Sequence, residues 1–107
     1  MRAVEKALRT VERLAGADAS MVRWGARPWA SPTFSGYLVE FDLQLQTAPG
    51  QVRPWDMGQG MRAFATMLVQ LPERFADHYL VDSEIVSGEQ VGDGPVLLRG
   101  KLLLLAV

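Results

Sequence analysis

From Tyr37 to Leu45 every second residue is apolar (Tyr37, Val39, Phe41, Leu43, Leu45), and from Glu40 onward the residues between them are polar: Glu40, Asp42, Gln44 and Gln46. Neighbouring residues of an extended chain point to opposite faces, so Tyr37 to Thr47 reads as a β-strand with one buried face and one wet face. The first residues follow a different period. Val4, Leu8, Val11 and Leu14/Ala15 recur at helical spacing, with Glu5, Lys6, Arg9, Glu12 and Arg13 filling the other side. Arg2 to Ala15 is therefore expected to be an amphipathic helix. Glu5 and Arg9 support it as an (i, i+4) pair, and Gly16 stands where a helix ends on a left-handed residue.

Between these two elements, Met21 to Trp24 reads as a short strand and Gly25 to Ser35 (GARPWASPTFS) as an extended loop rich in breakers. A second irregular stretch, Ala48 to Trp55, leads to Asp56 and Gln59, which have the spacing of a capping box. A second helix follows, with Met61, Phe64, Leu68 and Leu71 as its apolar stripe and Pro72 at its end. Tyr79 to Val86 and Val96 to Val107 read as strands, joined by the turn-rich GEQVGDGP into a hairpin. Helices and strands do not alternate regularly. The expected class is α+β: a mainly antiparallel sheet, two helices packed on one face, and a long C-terminal hairpin.

The 107 residues suit a single domain, 1–107, and 49% apolar residues suffice for a core without staples. The absence of cysteine excludes disulfides, zinc–thiolate sites and thiol nucleophiles. A formal net charge of −1 gives no general attraction to nucleic acid or anionic lipid. The longest apolar run, Leu102 to Val107, has six residues, against the roughly 20 that span a bilayer. MRAVEKALRT carries no apolar segment of a secretion signal, so the chain reads as soluble and made in a reducing cytoplasm.

Candidate chemistry is sparse. His78 is the sole histidine, with no triad partner assignable along the chain, and reads as a surface residue. Glu40, Asp42, Asp82 and Glu84 occupy alternate positions on two strands; were those strands neighbours, four carboxylates would share a face. Such a face could hold magnesium, work as an acid/base pair, line a channel or simply be solvated, as Gln44 and Gln46 beside it favour. Gly88, Gly92 and Gly94 are hairpin turn residues, because neither a helix N-terminus nor a GK[ST] follows them.

The repeated tripeptides Arg27-Pro28-Trp29 and Arg53-Pro54-Trp55 both fall in expected loops. Trp and Arg are the side chains most enriched at binding hot spots; the alternative is that each Trp caps its own core. Leu102 to Val107 is apolar on both faces, and a subunit contact would cover the face that the core does not. The candidate interface residues are accordingly Arg27, Trp29, Arg53, Trp55, Leu103 and Leu105.

The strand LVEFDLQLQT, the helix MRAFATMLVQL and the terminal YLVDSEIVSGEQVGDGPVLLRGKLLLLAV, behind an N-terminal helix, give an order of elements that resembles the tail terminator proteins of long-tailed bacteriophages. The resemblance implies a ring, commonly a hexamer, that caps the tail tube and joins it to the head connector. Its partners would be copies of itself, the tail tube protein and head–tail connector proteins, with DNA passing through unbound and no membrane involved. It implies no cofactor, no metal and no catalytic residues, and a place in the virion neck after assembly in the host cytoplasm. In such a ring Glu40, Asp42, Asp82 and Glu84 would face the channel, where a lumen of the phosphates' own sign lets duplex slide. Two other classes stay open: a small-molecule or peptide-binding α+β module with the Trp-rich loops around a pocket, and an enzyme using the acidic strand face.

Overall fold

The computed structural model describes residues 2–45, 57–90 and 95–106. In chain order the elements are α1 (Arg2–Ala15), β1 (Ala19–Ala30), β2 (Ser35–Leu45), α2 (Met57–Leu68), β3 (Arg74–Phe75), β4 (His78–Gln90) and β5 (Val96–Ala106). The strands form one five-stranded sheet in the order β1-β2-β5-β4-β3, antiparallel throughout. The class is α+β with a mainly antiparallel sheet, as the periodicities imply.

Both sequence periods end in the same core. The apolar stripe of α1 (Val4, Ala7, Leu8, Val11) clusters with Phe64 and Leu68 of α2 and with the inward residues of the two central strands. Those are Val39, Phe41 and Leu43 of β2 and Leu98, Leu102 and Leu104 of β5, all 1% exposed or less. Each large apolar side chain removed from water contributes on the order of 1.5–3 kcal/mol before entropy is counted. Gly16 ends α1 with φ +114°, and its N–H donates to the Arg13 carbonyl at 3.3 Å. Asp56 of the expected capping box lies outside the described residues.

The expected loop from Gly25 to Ser35 is mostly strand. β1 runs to Ala30, with Arg27, Pro28 and Trp29 paired to Leu38, Tyr37 and Gly36. Proline is tolerated there because β1 is an edge strand, with one side of its backbone unpaired. The chain then reverses within Ser31 to Phe34. Ser31 N–H donates to the Phe34 carbonyl at 2.7 Å, and Ser31 Oγ accepts from the Phe34 and Thr33 N–H groups at 3.0 and 3.3 Å.

The β2–β5 ladder runs without interruption, whereas its outer neighbours carry bulges: one in β1 between Met21 and Arg23, two in β4 between Leu80 and Asp82 and between Ile85 and Ser87. Each leaves a valine out of the pairing, Val22, Val81 or Val86, and all three are exposed. An inserted residue lengthens a strand relative to its partner and increases local twist, so the sheet curls. It also shifts the phase of alternation. Met21 and Leu80 pack against the core, and without the bulges Arg23 and Asp82 would follow them inward.

Two glycines hold the central strands together. A Cβ on Gly100 would meet Phe41 Cζ at 2.5 Å, in a ring that is itself 1% exposed and has nowhere to go. A Cβ on Gly36 would run into the Leu104 carbonyl of β5. Gly100→Ala is expected to cost about 1–3 kcal/mol in urea denaturation, as overpacked cores do. Gly36→Ala should cost more, because backbone must move, whereas Gly25→Ala, whose Cβ meets nothing within 4 Å, should leave the midpoint unchanged or slightly raised.

Candidate interaction face

Directly paired residues of an antiparallel ladder project to the same side of the sheet. On the side away from the core the rungs across β1, β2, β5 and β4 read Arg23–Asp42–Arg99–Ser87, Gly25–Glu40–Lys101–Glu84, Arg27–Leu38–Leu103–Asp82 and Trp29–Gly36–Leu105–Tyr79. None of these residues belongs to the core cluster or to the apolar residues packed against it. This open face has an apolar end, with Trp29, Leu38, Leu103 and Leu105 all partly buried, and a charged middle.

The expected acidic face is present only in part. Glu40, Asp42, Asp82 and Glu84 do share one side of the sheet, but β2 and β4 are not neighbours. β5 lies between them and contributes Arg99 and Lys101 to the same face, while β1 adds Arg23 and Arg27. Sign therefore alternates by strand, and the four carboxylates do not form a concentrated negative patch. Opposite charges on adjacent strands attract, which is the physical reason for the columns.

Two of these pairs are closed. Arg99 donates from Nε to Asp42 Oδ1 at 2.9 Å and from Nη2 to Oδ2 at 3.4 Å, a forked contact on a carboxylate whose side chain is only 10% exposed. The hydrogen bond to Asp42, and secondly that carboxylate's charge, raise the Arg99 guanidinium above its ordinary pKa. Arg27 donates from Nη2 to Glu40 Oε1 at 3.2 Å, with both side chains largely in water. Arg23 has no hydrogen-bond or ion-pair partner among the described residues, although it faces Asp42 across the ladder.

Between Arg23 and Arg27 the face is indented. Gly25 supplies no side chain, and a recess of about 430 Å³ opens there, walled by Arg23, Arg27, Glu40, Asp42 and Arg99 with Leu38 at one side. Neither a protein family, nor a characterised protein, nor a solved structure matches the chain.

Of the candidate interface residues, Arg27, Trp29, Leu103 and Leu105 all lie on this face, toward the same end. Arg53 and Trp55 lie outside the described residues. Leu102 and Leu104 point into the core and Leu103 and Leu105 away from it, which accounts for the two-sided apolar run. The recess is not legible while Arg23 reads as part of a short strand and Gly25 and Arg27 as loop; with β1 running through all three, the R-x-G-x-R spacing puts them on one side. The four interface candidates within the described residues and the four acidic residues occupy one face.

His78 is placed away from the charged rungs. Its Nδ1 bonds Asp77 Oδ1 at 2.9 Å, its ring centroid lies 5.7 Å from that of Tyr37, and its side chain is 14% exposed. The bond to His78 holds the Asp77 carboxyl below its ordinary range. Among the described residues no group of three or more His, Asp or Glu is placed to hold a metal ion, and no helix is long and apolar enough to cross a membrane. The two ion pairs on the open face should separate in a stability measurement. Arg27→Met, at an exposed pair, should change unfolding free energy by no more than about 0.5 kcal/mol. Arg99→Met leaves the near-buried Asp42 without its donor and should lower the denaturation midpoint clearly further.

Proposed function

We propose that this protein is a structural subunit that works by associating through the open face of its sheet, and that its assembled form is a ring in the neck or tail of a long-tailed phage. The observation that carries the reading is the face itself: a broad sheet surface outside the core, with an apolar end of Trp29, Leu38, Leu103 and Leu105 beside balanced charges. With both helices packed on the core side, that face is left for a partner. Surfaces of this composition are where partners dock, and a buried Trp beside Arg is the usual centre of binding energy. The order of elements, a leading helix, a hairpin, a second helix and a long terminal hairpin, supports the tail terminator reading in particular. The partners are then further copies, the tail tube protein and the head connector, and the open face belongs to protein contacts rather than to an acidic channel lining.

The reading has no catalytic step, and the charged rungs serve recognition. A second reading, a module that binds a small molecule or peptide, has the 430 Å³ recess and the unpartnered Arg23 in its favour. Light scattering on purified protein, alone and with isolated tail tubes, separates the two. Assembly predicts a mass well above 11.8 kDa, or binding to tube ends. Leu103→Glu or Leu105→Lys should abolish it or leave insoluble protein. Trp29→Ala should weaken association by about 2 kcal/mol while changing the isolated fold less. A monomer at high micromolar concentration that ignores tail tubes would sink the proposal.

A further inference from the structure

The charge order of the open face fits a second copy of itself. Across the sheet, β1 presents cations, β2 anions, β5 cations and β4 anions. Positions equally far from the β2–β5 seam, on its two sides, therefore carry opposite sign. A two-fold axis lying along that seam, parallel to the strands, turns β2 onto the β5 of the copy and β1 onto its β4. Heights along the strands are unchanged by this rotation, so each rung meets its own rung.

We propose that two copies pair face to face about this axis, and that Glu84 of each fills the recess between Arg23 and Arg27 of the other. Gly25 and Glu84 stand at opposite ends of one rung, so the axis sets Glu84 over the position where a missing side chain leaves room. Arg23, without a partner in its own chain among the described residues, gains one there. The remaining rungs agree. Glu40 meets Lys101, Asp42 meets Arg99 and Arg27 meets Asp82, while Leu38 meets Leu103 and Trp29 meets Tyr79 at the apolar end. Other two-folds fail. An axis along β2 or β5, or one crossing the strands, lays columns of like sign on each other, and an axis along an outer seam covers only part of the face. Two twisted sheets pack with strand directions within about 30° of each other, which this arrangement allows.

The inference rests on reading the open face as an assembly surface but not on the ring. A contact about a two-fold closes on itself and cannot propagate, so the pair is the state of subunits away from the tail and must part before a ring forms. Light scattering on wild type should give twice the 11.8 kDa chain mass, with affinity falling as salt is raised. Gly25→Tyr fills the recess from a position with open space around it and should give a folded monomer by circular dichroism and mass. Glu40→Lys and Lys101→Glu should each be monomeric alone and form a one-to-one pair when mixed, since every lysine at these sites then meets a glutamate. A wild-type monomer overturns the pair, as does a Gly25→Tyr protein that dimerises like wild type. A ring lost on Gly25→Tyr would overturn the two-fold while keeping the ring, and a ring indifferent to Gly25→Tyr would remove the open face from assembly altogether.

Discussion

The ladder between β2 and β5 is the interaction on which the other features depend. Its ten residue pairs run from Gly36↔Leu105 to Leu45↔Val96 without a break. A slip of one residue would carry Val39, Phe41 and Leu43 out of the core and Glu40 and Asp42 into it. Register is therefore set from both sides at once. On the core side the Phe41 ring lies over Gly100; on the other the Arg99 fork grips Asp42, one rung away. Neither contact survives a shift, and Gly36 admits the Leu104 carbonyl at the far end only in this alignment.

The flanking strands are adapted to that ladder by bulges. Val22, Val81 and Val86 stand out of register on β1 and β4, and in doing so they change which face the following residues occupy. Arg23 and Asp82 reach the open face through such a change; the strict alternation of an unbroken strand would have set both charges on the side that carries the core. The same devices lengthen the outer strands and curl the sheet, so the shape of the face and its charge pattern have one origin.

This separates what the sequence could reveal from what it could not. The helix of Arg2 to Ala15 and the strand through Phe41 were legible because each carries a long unbroken period and one solvated side. Leu103 and Leu105 follow from a different pattern: a run apolar on both sides cannot turn both faces into one core, and these two residues lie on the side away from it. Arg27-Pro28-Trp29 reads as a loop because proline breaks a central strand, but it is tolerated on an edge, and edge position is a property of topology, which no local pattern encodes. The four carboxylates were rightly sent to one side of their strands, but their electrostatic meaning turned on which strand lies between them. That strand is β5, with Arg99 and Lys101, and it turns an acidic surface into an alternating one.

An alternating surface has a consequence that a uniform one lacks. Charges already paired within the chain, as Asp42 with Arg99 and Glu40 with Arg27, have lost part of their hydration before any partner arrives. Bringing a second face against them costs less desolvation than burying isolated charges, and returns less attraction too. In the proposed contact affinity would fall to the apolar end of Trp29, Leu38, Leu103 and Leu105, while the charges would decide which strand lies over which, since a shift by one strand sets like columns against like. Lys101, Asp82, Glu84 and Arg23 are the charges of this face without a hydrogen-bond or ion-pair partner among the described residues, and of these Arg23 borders the recess. Its guanidinium has no carboxylate in its own chain among the described residues, so it is open to one from the proposed second copy. In the proposed contact an ion pair made from such a solvated group would add to the dependence on salt.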